Sequence, residues 1–245
     1  MKDIKIGVVA EGPSDRIAIE NLLRAYFRHK NIKKSELSFK SVQPYVDNTS
    51  KSGFSEGGWL WVYKWCVANP IEERESKYFS AGLFADDMDE FSCSALLVHM
   101  DADICEEIRD LTDLKPVPTK EDGAQMRGDF ISGTLNQWLW PTGPVIDARY
   151  IVAPAVESIE AWLVAGLSAE DHEPETNVEI QKRLAHLDYL VVKKRPIPQN
   201  IKKPDKSVNN FNKISMTASE NVARIAEKCP HFKMAAEKLI ALADV

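Results

Sequence analysis

Two acid-bearing stretches carry the chemistry that can be read from this chain. In "LLVHMDADICEE", Leu96 to Glu107, an apolar run passes through His99 and Met100 straight into Asp101 and Asp103. In "IKIGVVAEGPSDR", the run from Ile4 to Ala10 ends on Glu11 and a Gly-Pro turn. Any polar residue would meet the needs of solubility, so carboxylates at the ends of two buried runs call for another reason. An Asp-x-Asp pair leaving a strand can turn both side chains to one side, because residues two apart share a face. Three such carboxylates repel one another unless a cation, a proton or distance intervenes. Magnesium is the natural cation, since it takes hard oxygen ligands and is held by one or two carboxylates plus substrate phosphates.

Positioning these acids requires strands that end near one another. The near-continuous, β-rich run Ile4 to Ala10 suits a strand buried on both faces. Gly12-Pro13-Ser14 opens a helix in which Ala18, Ile19, Leu22, Leu23 and Tyr26 recur at helical spacing through Phe27. Further along, Leu37–Tyr45 reads as a second strand and "GGWLWVYKWCVA" as a helix opened by glycines. Ala95–Met100 is a third strand, and residues around Gln125–Leu139 are helical. Arg149–Ala153 is a short strand leading through Pro154 into "VESIEAWLVAGL", a helix with Ile159, Trp162 and Leu163 on one face. Strands alternating with helices predict an α/β domain with a mainly parallel sheet, whose ligands gather outside the carboxyl ends of the strands. Glu11, Asp101 and Asp103 fall there.

The order of three motifs, "EGPSD" after the first strand, "HMDAD" after a later one and "ESIEAWL" opening a following helix, resembles the Toprim fold. It is most similar to the small Toprim-like proteins related to OLD-family nucleases and found among bacterial anti-phage systems. The resemblance implies a Toprim-like, Rossmann-like core over residues 1–167. A C-terminal extension, residues 168–245, follows as a basic loop and closing helices packed on that core. It implies a nuclease that cuts phosphodiester bonds in DNA or RNA with Mg²⁺ or Mn²⁺ held by Glu11, Asp101 and Asp103. A further metal-binding glutamate maps to Glu157 or Glu160, and a catalytic lysine to Lys206. An ATPase is an expected partner. Glu157 and Glu160 lie three apart on one helical face, so both could approach the metal site. With the second of two metals about 3.5 to 4 Å from the first, one of them would complete a two-metal clamp; one-metal transfer of the topoisomerase or primase kind stays open. Strand passage of the topoisomerase kind is not expected, since the chain lacks the bulk it requires.

Structural readings of the same residues stand beside these. Glu11 could be a turn residue, and Asp101 and Asp103 could cap a helix. Glu157 and Glu160 could be a solvated pair, Lys206 a surface lysine, and His99 a core histidine with a satisfied hydrogen bond. Trp59, Trp61 and Trp65 read as helix packing before base stacking, and Gly57-Gly58 as a helix start before a phosphate cradle. The basic groups Arg24, Arg28, Lys30, Lys33, Lys34 and Lys193, Lys194, Arg195, Lys202, Lys203 read as solvated faces that would track phosphates only if they converge. A different enzyme also fits Asp-x-Asp after a strand: a haloacid-dehalogenase-like phosphatase with Asp101 as nucleophile and Asp103 as acid/base. A third possibility is a non-catalytic Toprim-like subunit of an ATPase.

Composition is permissive. The 245 residues, 44% hydrophobic, suffice for one substantial core, and the net charge of -6 argues against coating nucleic acid by bulk charge. Cys66, Cys93, Cys105 and Cys229 form no metal-ligand spacing and read as reduced thiols. The first apolar run is cut by Glu11 and Asp15, too short for a signal peptide, and no window approaches about 18 apolar residues, so a cytoplasmic protein off the membrane is expected.

Overall fold

The computed structural model describes residues 2–32, 35–44, 57–79, 92–143, 147–170, 173–176 and 179–243. The apolar runs become strands β1 (Lys2–Val9), β2 (Ser35–Gln43), β3 (Ala95–Asp101) and β4 (Tyr150–Ala155). They form one all-parallel sheet in the order β2-β1-β3-β4. The helices in chain order are α1 (Pro13–His29), α2 (Trp59–Ala68), α3 (Ile71–Arg74), α4 (Ala124–Leu139) and α5 (Ile159–Leu167). After them come α6 (Ile180–Leu187), α7 (Val208–Ser219), α8 (Val222–Lys228) and α9 (Pro230–Ala243). A π-helical turn, Glu75–Phe79, continues α3.

Side-chain alternation along the strands builds two apolar layers. Ile4, Ile6, Val8, Leu97, Ile151 and Ala153 pack against α1, α5 and α7 to α9. Val9, Leu96, Val98, Met100 and Val152 face the other way, against α2 and α4. A sheet covered on both sides has no wet face, which is why its strands read as continuous apolar runs. Phe211, Ile214, Ile225, Phe232 and Leu239, all beyond residue 167, lie in the same cluster as Ile4 and Leu22. The basic segment from Lys193 to Lys206 is irregular loop. The four cysteines are buried free thiols. Among the described residues, no helix is long and apolar enough to cross a membrane.

Two expectations need correction. The second strand stops at Gln43, before Pro44, and the expected end at Tyr45 lies outside the described residues. Pro154 stands inside β4 instead of leading out of it. That is tolerable because, among the described residues, β4 is an edge strand that pairs with β3 alone. In helix α5 Ile159, Trp162 and Leu163 pack together in the first layer, and the other residues to Gly166 are buried as well, because β4, α6, α7 and α8 enclose the helix.

Candidate active site

In this strand order β1 lies between β2 and β3, so the chain's direction across the sheet reverses there, and the crevice outside the carboxyl ends of β1 and β3 is the natural ligand site. Glu11 leaves β1 into that crevice, and Asp101 is the last residue of β3. The Asp101 backbone N–H donates to Glu11 Oε1 at 2.9 Å, joining the two ends. Asp101 Oδ1 in turn accepts the N–H of Ile159, the first residue of α5, at 3.0 Å. The capping alternative is therefore realised in an unforeseen way: Asp101 caps the helix after β4, not one of its own. Gly58 N–H donates to the Glu11 carbonyl at 2.6 Å. A Cβ on Gly57 would stand 2.3 Å from that oxygen, so the close approach requires glycine.

More acid surrounds this pair. Burial, then repulsion from Asp101, pushes the Glu11 carboxyl up to about 8. The Asp101 carboxyl is raised well above the ordinary range by burial and by Asp15, Glu160 and Asp103, against the pull of Lys206. Asp15, in the first turn of α1, is buried and raised by desolvation, opposed by His99 and Lys206 and reinforced by Glu160. Its Oδ1 accepts the Ser14 hydroxyl at 3.3 Å. Asp103 is exposed at the mouth, yet the protein packed behind it raises its carboxyl to about 6 against the pull of Lys120.

Glu157 and Glu160 are not a solvated pair and do not share a helical face. Glu157 precedes α5 with a φ of 63°, a left-handed backbone that a glutamate adopts only under constraint. Its carboxylate is ion-paired with the buried Arg127 of α4, whose Nη2 also donates to the Glu175 carbonyl at 3.1 Å. Glu160, with 0% of its side chain exposed, has Oε1 2.6 Å from Lys206 Nζ. Its Oε2 accepts no hydrogen bond among the described residues. Lys206 is a half-exposed lysine whose ammonium is held at the site: attraction to Glu160, Asp101 and Asp15 outweighs its partial desolvation and raises it above the usual value. His99 is fully buried, with Nδ1 2.8 Å from the Ala153 carbonyl and its ring edge-on to Trp162. Its other nitrogen lies 3.4 Å from Asp101 Oδ1, so this core histidine also borders the acids.

Carboxylates crowded until burial and repulsion raise them must hold protons or meet a cation. Hard, partly unpartnered carboxylate oxygens fit Mg²⁺ or Mn²⁺. Among the described residues, no three His, Cys, Asp or Glu side chains are gathered closely enough to hold an ion by themselves. Magnesium is commonly completed by water and substrate phosphate rather than by a full protein cage.

Beside the acids, Asp103 and Glu157 share a cleft of about 480 Å³ with Lys120, Lys182, Lys202 and Lys203. Of the basic groups singled out in the sequence, Lys202 and Lys203 thus reach the site. Arg24 instead donates to the Leu37 carbonyl and lies over Phe39, and Lys33 and Lys34 lie outside the described residues. Trp65 packs in the core with Tyr78, Trp59 packs against the same cluster, and Trp61 carries Lys64 over its ring.

Sequence reading misses Asp15, Arg127 and Lys120. Asp15 had a signal in its place four residues after Glu11, at a helix start. Arg127 had one in sharing the stripe of Phe130, Ile131, Thr134 and Trp138, where a charge demands a partner. Lys120 had none. Compared with family models, curated proteins and solved structures, the chain matches none of them.

Proposed function

We propose that this chain is a Toprim-like, metal-dependent nuclease that hydrolyses phosphodiester bonds in DNA or RNA. One observation carries the reading: Glu11 is bonded to the end of β3 at the switch-point crevice, beside a cleft that joins Asp103 to four lysines. Glu11, Asp101 and Asp103 hold the Mg²⁺ or Mn²⁺, with Glu160 available through its unpartnered oxygen. A divalent ion bound there would polarise the scissile phosphate and make a nucleophile of water at neutral pH. The α5 amide fixes the orientation of Asp101, and Lys206 offsets the charge of Glu160. Glu157, held by Arg127, positions the turn into α5 rather than binding the ion. Lys120, Lys182, Lys202 and Lys203 bind backbone phosphates, which lets a chain of net charge -6 engage nucleic acid locally. A role in anti-phage defence beside an ATPase rests on the sequence resemblance alone.

The test is incubation of purified protein with plasmid, single-stranded DNA and tRNA in Mg²⁺, Mn²⁺ or EDTA, for wild type and Asp101→Asn. Metal-dependent cutting by wild type, lost in EDTA and in Asp101→Asn, is expected. Undiminished cutting by Asp101→Asn refutes the assignment. Phosphate-monoester hydrolysis that survives Glu11→Gln would transfer it to the phosphatase reading.

A further inference from the structure

A second cavity lies away from the acids, between α2, the end of α3 and the carboxyl end of α4. Its volume is about 400 Å³, within the range of small-molecule sites, and its walls include Tyr63, Val67, Leu111, Trp138 and Trp140. This mostly apolar chamber contains one buried cation, Arg74, only 1% exposed. The guanidinium donates from Nη2 to the Leu139 carbonyl. Its Nε and Nη1, both buried, have no hydrogen-bond partner among the described residues, and neither does the indole N–H of Trp140. The rings of Trp140 and Tyr150 flank it, with centroids 5.9 and 5.4 Å from Cζ.

Aromatic faces offset part of the cost of burying a guanidinium, but unused N–H donors in a dry site cost free energy unless an acceptor reaches them. The neighbouring carboxylate does not serve: Glu75 is committed to Arg149 at 2.7 Å and to the Tyr150 hydroxyl at 3.1 Å. Glu72, also on the wall, is exposed and makes no ion pair with Arg74 among the described residues. An aromatic-walled chamber with spare cationic donors is built for a small ligand with a flat apolar body and one anionic group.

We propose that this cavity is a binding site, separate from the acid crevice, for a small aromatic molecule bearing a carboxylate or a phosphate. The anionic group takes the free donors of Arg74, and the ring packs among Tyr63, Trp138 and Trp140. The nuclease reading is not needed for this site, and the site need not exist for that reading to hold.

Calorimetric titration of the full chain in EDTA with phenyl phosphate, benzoate and the neutral benzyl alcohol tests it. At least one anion should bind saturably, about tenfold or more tighter than the alcohol, since a hydrogen bond to a charged group is worth about 1.5–3 kcal/mol. Arg74→Met should abolish the preference for the anion. Because that buried change could unfold the chain, Val67→Trp, at an exposed wall residue, should block binding of the same anion on its own. Asp101→Asn should leave binding unchanged. The proposal falls if neither anion binds saturably below about 10 mM, a free energy of only about 3 kcal/mol. It also falls if the alcohol binds as well as the anions, or if Val67→Trp leaves binding intact while Asp101→Asn removes it.

Discussion

Glu11→Gln should make the metal-free protein more stable at high pH and leave it nearly unchanged at low pH. In the fold the carboxyl is pushed from an ordinary 4.5 up to about 8, by burial first and by Asp101 second. The native state thus holds this proton more tightly than the unfolded chain, so ionisation destabilises the fold, and stability falls as pH climbs from about 4.5 to about 8. The full shift corresponds to a ceiling of about 5 kcal/mol. Glu11 keeps some exposed surface, so water and local relaxation will reduce this, and about 2 kcal/mol is a reasonable working figure. Glutamine keeps the oxygen that accepts the Asp101 N–H at 2.9 Å, so the substitution removes charge while preserving the hydrogen bond. It also relieves Asp101, whose carboxyl is raised by the same crowding. A chain of this size moves its melting temperature by about 2–4 °C per kcal/mol. In EDTA, Glu11→Gln should therefore melt about 4–8 °C above wild type near pH 8.5 and within about 1 °C of it near pH ~3.5, below the unfolded-state ionisation. Millimolar Mg²⁺ should raise the wild-type midpoint at pH 8.5 and the variant's by less. Equal melting at pH 8.5 without metal, or a difference independent of pH, would refute the claim that a repelling acid cluster occupies this crevice.

Two further substitutions probe the acids' supports. Arg127→Met should cost about 3–5 kcal/mol in urea unfolding, because it leaves Glu157 buried and unpaired, and Arg127→Met with Glu157→Gln should recover part of that loss. Lys206→Met should weaken metal-dependent cleavage at least tenfold and destabilise the fold, while in combination with Glu160→Gln the stability cost should shrink; strictly additive costs would mean that the 2.6 Å contact is energetically idle.

Some of the site is legible before folding because it follows from local rules. A double-sided parallel strand has to be apolar along its length, so Ile4 to Ala10 and Ala95 to Met100 announce themselves, and with them the acids at their ends. Glu160 and Lys206 are reachable only through resemblance, since they lie 46 positions apart in the chain and no periodicity links them. The reading of Glu157 as a helical partner of Glu160 fails because helix α5 begins at Ile159, after a left-handed turn that no local propensity requires. The glutamate at that turn is paired with Arg127, thirty residues earlier, a contact that only tertiary packing supplies.

By itself, the sequence determined the alternation of strands and helices and the carboxylates at the ends of the first and third strands, because these depend on neighbours a few residues away, and the parallel sheet follows because helices join consecutive strands. Only the tertiary structure decided that Asp101 would cap α5, that Asp15 and Glu160 would join the crevice, that four lysines would line one cleft, and that Arg74 would be buried among aromatic rings beside an apolar cavity. Those facts depend on which distant surfaces pack together. Burial then sets the electrostatics, since a carboxylate or guanidinium behaves differently once the water around it has been displaced.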